Sequence, residues 1–418
     1  VICNFNYNHN FNFNFNFNFN HKNKNKLKYF NEVEILFEFE FEFEVEVEVE
    51  VEVEVEVAVE VEVVTFTVME EKLMSKKKPN FPINLKLNEY LTVYNRNTKI
   101  SIFYDDLLRF SGSMVVYDKK GNDTLWVRAH YDEYERGEIE LSLKKVYTLL
   151  HSDGNEETIP FLSIDTIDYC TFGNSKPFRV RVRNVLNDNY TYLYLKKADA
   201  SRVYGLELEH ILSPNRINFL VYNETLIEEH IAGIPGDDFI RDYFPALSEN
   251  AKSQIAKEFV KFNERCMMRL LGDMRSYNYV VVPIHDFDNV IYKIRAIDFD
   301  QQCFEGNLKV YRPYFFKENR EMVNLVQEKL QENSIEQYRK EERSILAKRI
   351  LSVDEQIWAL IDCMENDTIS LPEKVKSLRK DIFEFTTDPK FKRCKNMGNI
   401  VRSVLQFVKR NYENVKTH

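Results

Sequence analysis

No two of the six cysteines (Cys3, Cys170, Cys266, Cys303, Cys363, Cys394) form a CxxC pair or stand at a metal-ligand spacing. That excludes a sequence-evident zinc site or disulfide frame and points to reduced thiols in the cytosol. Any run of about 18 apolar residues is also missing, as is an evident secretory signal, so a soluble, cytoplasmic protein is expected, with no membrane partner. Beyond residue 68 there is no net charge either. Residues 1–68 hold fourteen glutamates and four lysines, a net of −10 that equals the charge of the whole chain, so residues 69–418 sum to zero. A neutral body has no bulk electrostatic drive toward nucleic acid, which is not an expected partner.

Methionine is absent before Met69. Residues 4–20 alternate Phe and Asn, and residues 37–62 alternate Phe or Val with Glu, without turn, cap or varied core. Departures such as Lys22, Val45 and Ala58 each lie one base change from the residue they replace, as in an expanded six-nucleotide repeat. Residues 1–68 are therefore expected to be a translated reading of non-coding repeat or a disordered tract, with the start at Met69 or Met74. The competing reading is a β-forming segment, since Val-Glu alternation has the period of a strand.

The remaining 350 or so residues are enough for two or three cored domains. Residues 74–168 read as a small β-rich N-terminal domain. Strands are expected at Leu91–Tyr94 and Ile100–Tyr104, then a hairpin of Met114–Tyr117 and Leu125–Ala129 around the polar turn 118–123. Ile139, Leu143, Val146, Tyr147 and Leu150 recur at helical spacing until Ser152-Asp153-Gly154-Asn155 ends that helix.

Residues 169–232 read as a nucleotide-binding lobe. Phe178–Val185 and Tyr190–Leu195 are paired strands, preceded by the polar loop Phe172–Pro177. That loop is either an ordinary turn or a phosphate cradle to which Ser175 adds a donor and Lys176 a charge. A helix over Ser201–Leu212 has an apolar stripe of Tyr204, Leu208, Ile211 and Leu212, with Glu207 at its edge. Such an acid can hold a strand lysine against phosphates. Lys197 is favoured because it shares the leucine face of its strand with Leu193 and Leu195; Lys196, on the tyrosine face, is kept as the alternative. Strands Phe219–Tyr222 and Leu226–Glu229 lead into the segment His230–Gly236, the expected link to residues 233–418.

Ile255, Phe259, Phe262, Cys266 and Leu270 mark a core helix over 249–271 capped by Ser248. Asp273-Met274-Arg275-Ser276-Tyr277-Asn278 follows its end. After a hairpin of Tyr279–Val282 and Val290–Ala296 comes Ile297-Asp298-Phe299-Asp300. Phosphoryl transfer needs a carboxylate near the acceptor hydroxyl, and an amide plus a carboxylate to hold magnesium on nucleotide phosphates. Asp273, Asn278 and Asp298 are that set in chain order, and Arg275 can neutralise a transferring phosphate.

On these residues the chain resembles the protein-kinase-like superfamily, and in particular its atypical bacterial branches, the HipA-type kinases and aminoglycoside phosphotransferases. The resemblance runs from about Phe172 to Asp300 and includes Gly173-Asn174-Ser175-Lys176-Pro177, which looks like the HipA phosphate loop. It implies an α+β, two-lobed kinase-like fold using ATP and magnesium, with Asp273 catalytic, Asn278 and Asp298 as magnesium ligands, and Lys197 or Lys196 on the nucleotide. The acceptor is an unidentified protein or small molecule. Leu271, Arg275 and Asp300 depart from the family pattern, and no Ala-Pro-Glu motif follows. A pseudokinase acting as a nucleotide-responsive binding module is therefore the rival reading. Helices expected around 319–350, 353–365, 371–386 and 397–414, with Trp358 as a core anchor, complete the large lobe or form a partner-binding bundle.

Overall fold

The computed structural model describes residue 74 and residues 77–416 other than 153, 174, 287 and 288. The expectations for residues 1–68 lie outside these. Helix α1, Leu85–Val93, begins where the Asn84 side chain accepts the Leu87 amide, and it buries Leu87, Tyr90 and Leu91. These recur at i, i+3 and i+4, so the helical face overrides the strand expected at Leu91–Tyr94. The strand expected at Ile100–Tyr104 is also not found: Ile100 and Ile102 are buried, but the Phe103 and Tyr104 amides bond to the side chains of Asp106 and Thr225. Burial alternates there without a ladder.

Seven antiparallel strands follow in one sheet, ordered β1-β2-β3-β4-β5-β7-β6. They are β1 Gly112–Tyr117, β2 Asp123–His130, β3 Leu162–Cys170, β4 Phe178–Asn184, β5 Tyr190–Lys197, β6 Phe219–Tyr222 and β7 Thr225–Glu229. Strand β3 pairs with β2 on one side and β4 on the other, so the domain boundary expected at 168/169 falls inside a shared strand. Helix α2, Glu133–His151, packs Ile139, Leu143 and Val146 into one core with Val180, Leu193 and Leu195. Helix α3, Ala200–Leu212, is buried along nearly its whole length and belongs to a second core with α1 and the helices beyond.

The segment after β7 crosses to a small sheet in which β8, Ile234–Pro235, and β10, Asn289–Ala296, flank β9, Tyr279–Asp286. At Gly236 a Cβ would lie 2.3 Å from the Tyr279 ring and 2.4 Å from the Ser276 carbonyl oxygen, so only glycine fits that approach. Helix α4, Glu249–Arg269, is capped by Ser248 as expected and ends at Leu270 in the left-handed region. The later helices are α5 Arg320–Lys329, α6 Glu332–Ser352, α7 Asp354–Glu365, α8 Pro372–Thr386 and α9 Met397–Lys416. The single helix expected over 319–350 is broken at Leu330, which is extended. Trp358, expected as a core anchor, is half-buried and packs against the edge of the second core, its ring nitrogen bonded to Asp354 and its outer face covered by Arg402. The architecture is α+β, and among the described residues no helix is long and apolar enough to cross a membrane.

Candidate active site

The end of α4 and the end of β10 deliver the three polar residues to one place. Leu271 bridges to Gln302, and the Gly272 amide donates to the Gln301 carbonyl at 3.3 Å. A Cβ on Gly272 would lie 3.1 Å from that carbonyl oxygen, so glycine permits the close crossing. Asp273 then adopts φ +58°, a left-handed conformation that Asp tolerates better than most residues. It is pinned there: its amide donates to the Val310 carbonyl at 3.2 Å, and its carbonyl accepts Asn278 Nδ2 at 2.7 Å. The Asn278 carbonyl in turn accepts the Ile297 amide at 3.0 Å, which sets Asp298 beside it.

Arg275 Nε donates to Asp273 Oδ1 at 2.9 Å, and its guanidinium also reaches Glu318 at 2.6 Å. Burial pushes the Asp273 carboxyl up to about 6, against the pull of Arg275. Asp298 is pushed up to about 7 by burial and then by Asp300, while Lys196 and Arg202 oppose the shift. Asp300 is also buried, yet Arg202 and Lys196 hold it well below the usual carboxylate range. Arg202 and Asp300 form a buried ion pair, and the Asp300 amide donates to Asp298 at 3.1 Å.

The lysine assignment changes. Lys196 is buried and pairs with Glu228 of β7 at 2.9 Å, whereas Lys197 is exposed and pairs with Glu224. The leucine face of β5 is interior, as expected, but it packs on α2; the opposite face of the same strand turns Lys196 toward Asp298 and Asp300. A sheet covered on both sides defeats the rule that the more apolar face carries the site. Glu207 pairs with neither lysine. It is fully buried on the far side of α3 and accepts Tyr90 Oη at 2.9 Å, Gln356 Nε2 at 3.0 Å and Arg96 Nε at 3.2 Å. Its role is to join α3 to α1 and α7. Ser175 and Lys176 lie in the β3–β4 loop at the sheet end where Phe178 pairs with Leu195. Among the described residues their side chains bond to none of the cluster.

Arg202, Glu228 and Glu318 join this site without any motif to announce them. Arg202 follows the N-cap Asp199 by three residues, and Glu228 follows Leu226 and Ile227 on the short, buried strand β7. A polar residue at a buried strand position was the one available signal, and it was present at Glu228.

No protein-family model and no curated protein matches this chain, so the geometry carries the functional reading. Among the described residues no three or more His, Cys, Asp or Glu side chains gather as a metal cage. Asn278 turns its Nδ2 to Asp273, which leaves its Oδ1 free to face a ligand, and among the described residues Glu228 Oε1 is buried without a hydrogen-bond partner. One amide oxygen beside one carboxylate suits magnesium, which takes few protein ligands and completes its shell with phosphates and water.

Proposed function

We propose that the chain is a two-lobed, kinase-like phosphotransferase that uses ATP and magnesium to phosphorylate a hydroxyl of a protein or small molecule. The observation that carries this is the gathering of Asp273, Asn278 and Asp298 opposite Lys196, from three separate parts of the sequence. Bound magnesium-ATP supplies the transferable phosphoryl group and its charge neutralisation. Asn278 and Asp298 offer the metal-binding oxygens, and Lys196, steadied by Glu228, meets phosphate charge. Asp273 orients the acceptor hydroxyl and takes its proton; a carboxyl pushed up to about 6 suits that work near neutral pH. Arg275, held by Asp273 and Glu318, neutralises the transferring group.

One observation favours a pseudokinase: Asp273 is tied to Arg275 and Asp300 to Arg202, so two site carboxylates already have cationic partners. Thermal shift and transfer assays separate the readings. Magnesium-ATP should raise the melting temperature of the wild type; Asp298→Asn should lose that shift, and Asp273→Asn should keep it while losing transfer. An undiminished shift in the Asp298 variant removes the metal-site assignment. A wild-type shift with no acceptor labelled, identical in the Asp273 variant, installs the binding-module reading.

A further inference from the structure

A cavity of about 400 Å³ lies behind the segment that carries Asp273, lined by Met267, Met268 and Leu270 from the end of α4 and by Leu308, Ile382 and Phe391. That volume falls within the roughly 300–1,000 Å³ of small-molecule sites. Apart from Thr386, the polar part of its lining is one cluster of charge, in which Arg312, Arg339 and Arg343 meet Glu264 and Glu336. Arg343 is taken by Glu264 at 2.5 Å and by Glu336 at 3.7 Å, and Arg339 by Glu336 at 3.5 Å. Arg312 has no carboxylate within 4.0 Å among the described residues, and its guanidinium lies 5.5 Å from the Phe385 ring centroid. Burial and the neighbouring Arg339 disfavour its charge, against the pull of Glu264 and Tyr314. The Tyr314 hydroxyl, acted on by Arg339, Glu264, Arg312 and Glu332, is buried without a hydrogen-bond partner among the described residues.

Three guanidinium groups face two carboxylates here, and Arg312 is the one that no carboxylate reaches within 4.0 Å among the described residues. An inorganic anion would answer the charge and leave the apolar lining empty. A neutral lipid would do the reverse. We propose that this cavity binds one amphiphilic anion, a medium-chain fatty acid, with its carboxylate on Arg312 and its chain along Met267, Met268 and Phe391. The site is independent of the phosphotransferase reading, and its test uses no activity measurement.

The test is calorimetric titration of the full chain with decanoate below its micelle concentration, beside decanol and acetate. Decanoate should bind saturably at one per chain, with decanol and acetate each at least about tenfold weaker. Arg312→Gln should weaken decanoate by about tenfold or more and leave decanol unchanged, while Arg312→Lys keeps most of the affinity. Equal affinity for decanoate and decanol, acetate as tight as decanoate, or a stoichiometry well above one would each overturn the proposal. So would Arg312→Gln that folds normally and binds decanoate as the wild type does. The comparison of decanoate with decanol needs no variant, so a folding defect in Arg312→Gln cannot shield the claim.

Discussion

Replacing Lys196 by Met should be far more damaging than replacing its neighbour Lys197. Lys196 Nζ is 2.9 Å from Glu228, with the two side chains 9% and 7% exposed. At that separation the gross attraction is about 6 kcal/mol for an effective dielectric constant near 20, much of it offset by the cost of taking both charges out of water. The variant, however, leaves Glu228 buried without its ion-pair partner, with Arg202 nearby to offset Asp298 and Asp300, and such a loss costs about 3–5 kcal/mol. Lys197 and Glu224 are 3.0 Å apart but 48% and 75% exposed, which limits Lys197→Met to about 1 kcal/mol or less. Urea unfolding followed by circular dichroism, with midpoints compared at equal slope, measures both. The double variant Lys196→Met/Glu228→Gln should recover part of the loss, because removing both charges is cheaper than stranding one. In nucleotide titrations the shift should vanish with Lys196→Met and survive Lys197→Met. Equal stabilities of the two single variants, or a strictly additive double variant, would refute the reasoning.

Glu207→Ala should cost about 3–5 kcal/mol by stranding Arg96 and freeing Tyr90 and Gln356, while Glu207→Gln costs less; an Ala variant of wild-type stability that has lost nucleotide binding would return Glu207 to the site. Gly236→Ala should lower stability by more than about 2 kcal/mol, because the added carbon has only the Tyr279 ring and a carbonyl to displace; a neutral result by urea unfolding contradicts the tight crossing there. Among the described cysteines only Cys170 is not buried, and burial pushes the Cys266 and Cys303 thiols up to about 12. Mass spectrometry after brief native alkylation should therefore find Cys170 modified and Cys266 and Cys303 unmodified until denaturant is added.

Most of the elements between β1 and β10 were legible in the sequence because they carry their own period and their own stop, but β3, which joins the first hairpin to β4, and the two-residue β8 were not expected. Ile139, Leu143 and Val146 repeat at helical spacing, Ser248 caps α4, and polar turns punctuate the hairpins. The placing of Asp273, Asn278 and Asp298 on one edge was legible for a similar reason: an antiparallel hairpin returns the chain beside its own start, so residues flanking β9 and β10 must meet. Local pattern misled where two patterns overlapped, as at Leu91–Tyr94, where four residues look like a strand but the first three are the last turn of α1 and Tyr94 is its C-cap.

What only the tertiary structure decided is which face of β5 looks at the site, and which acid answers which base. Leu193 and Leu195 are interior in either case, but a sheet with a core on each side has two interiors, and nothing within β5 says which of them holds Asp298. Glu207 satisfies every local criterion for a lysine partner, yet its environment is set by Tyr90, Arg96 and Gln356, between 111 and 149 residues away in sequence. Ion pairing in a buried site depends on distances between chain segments, and those follow from how the cores pack rather than from the residues that flank each charge.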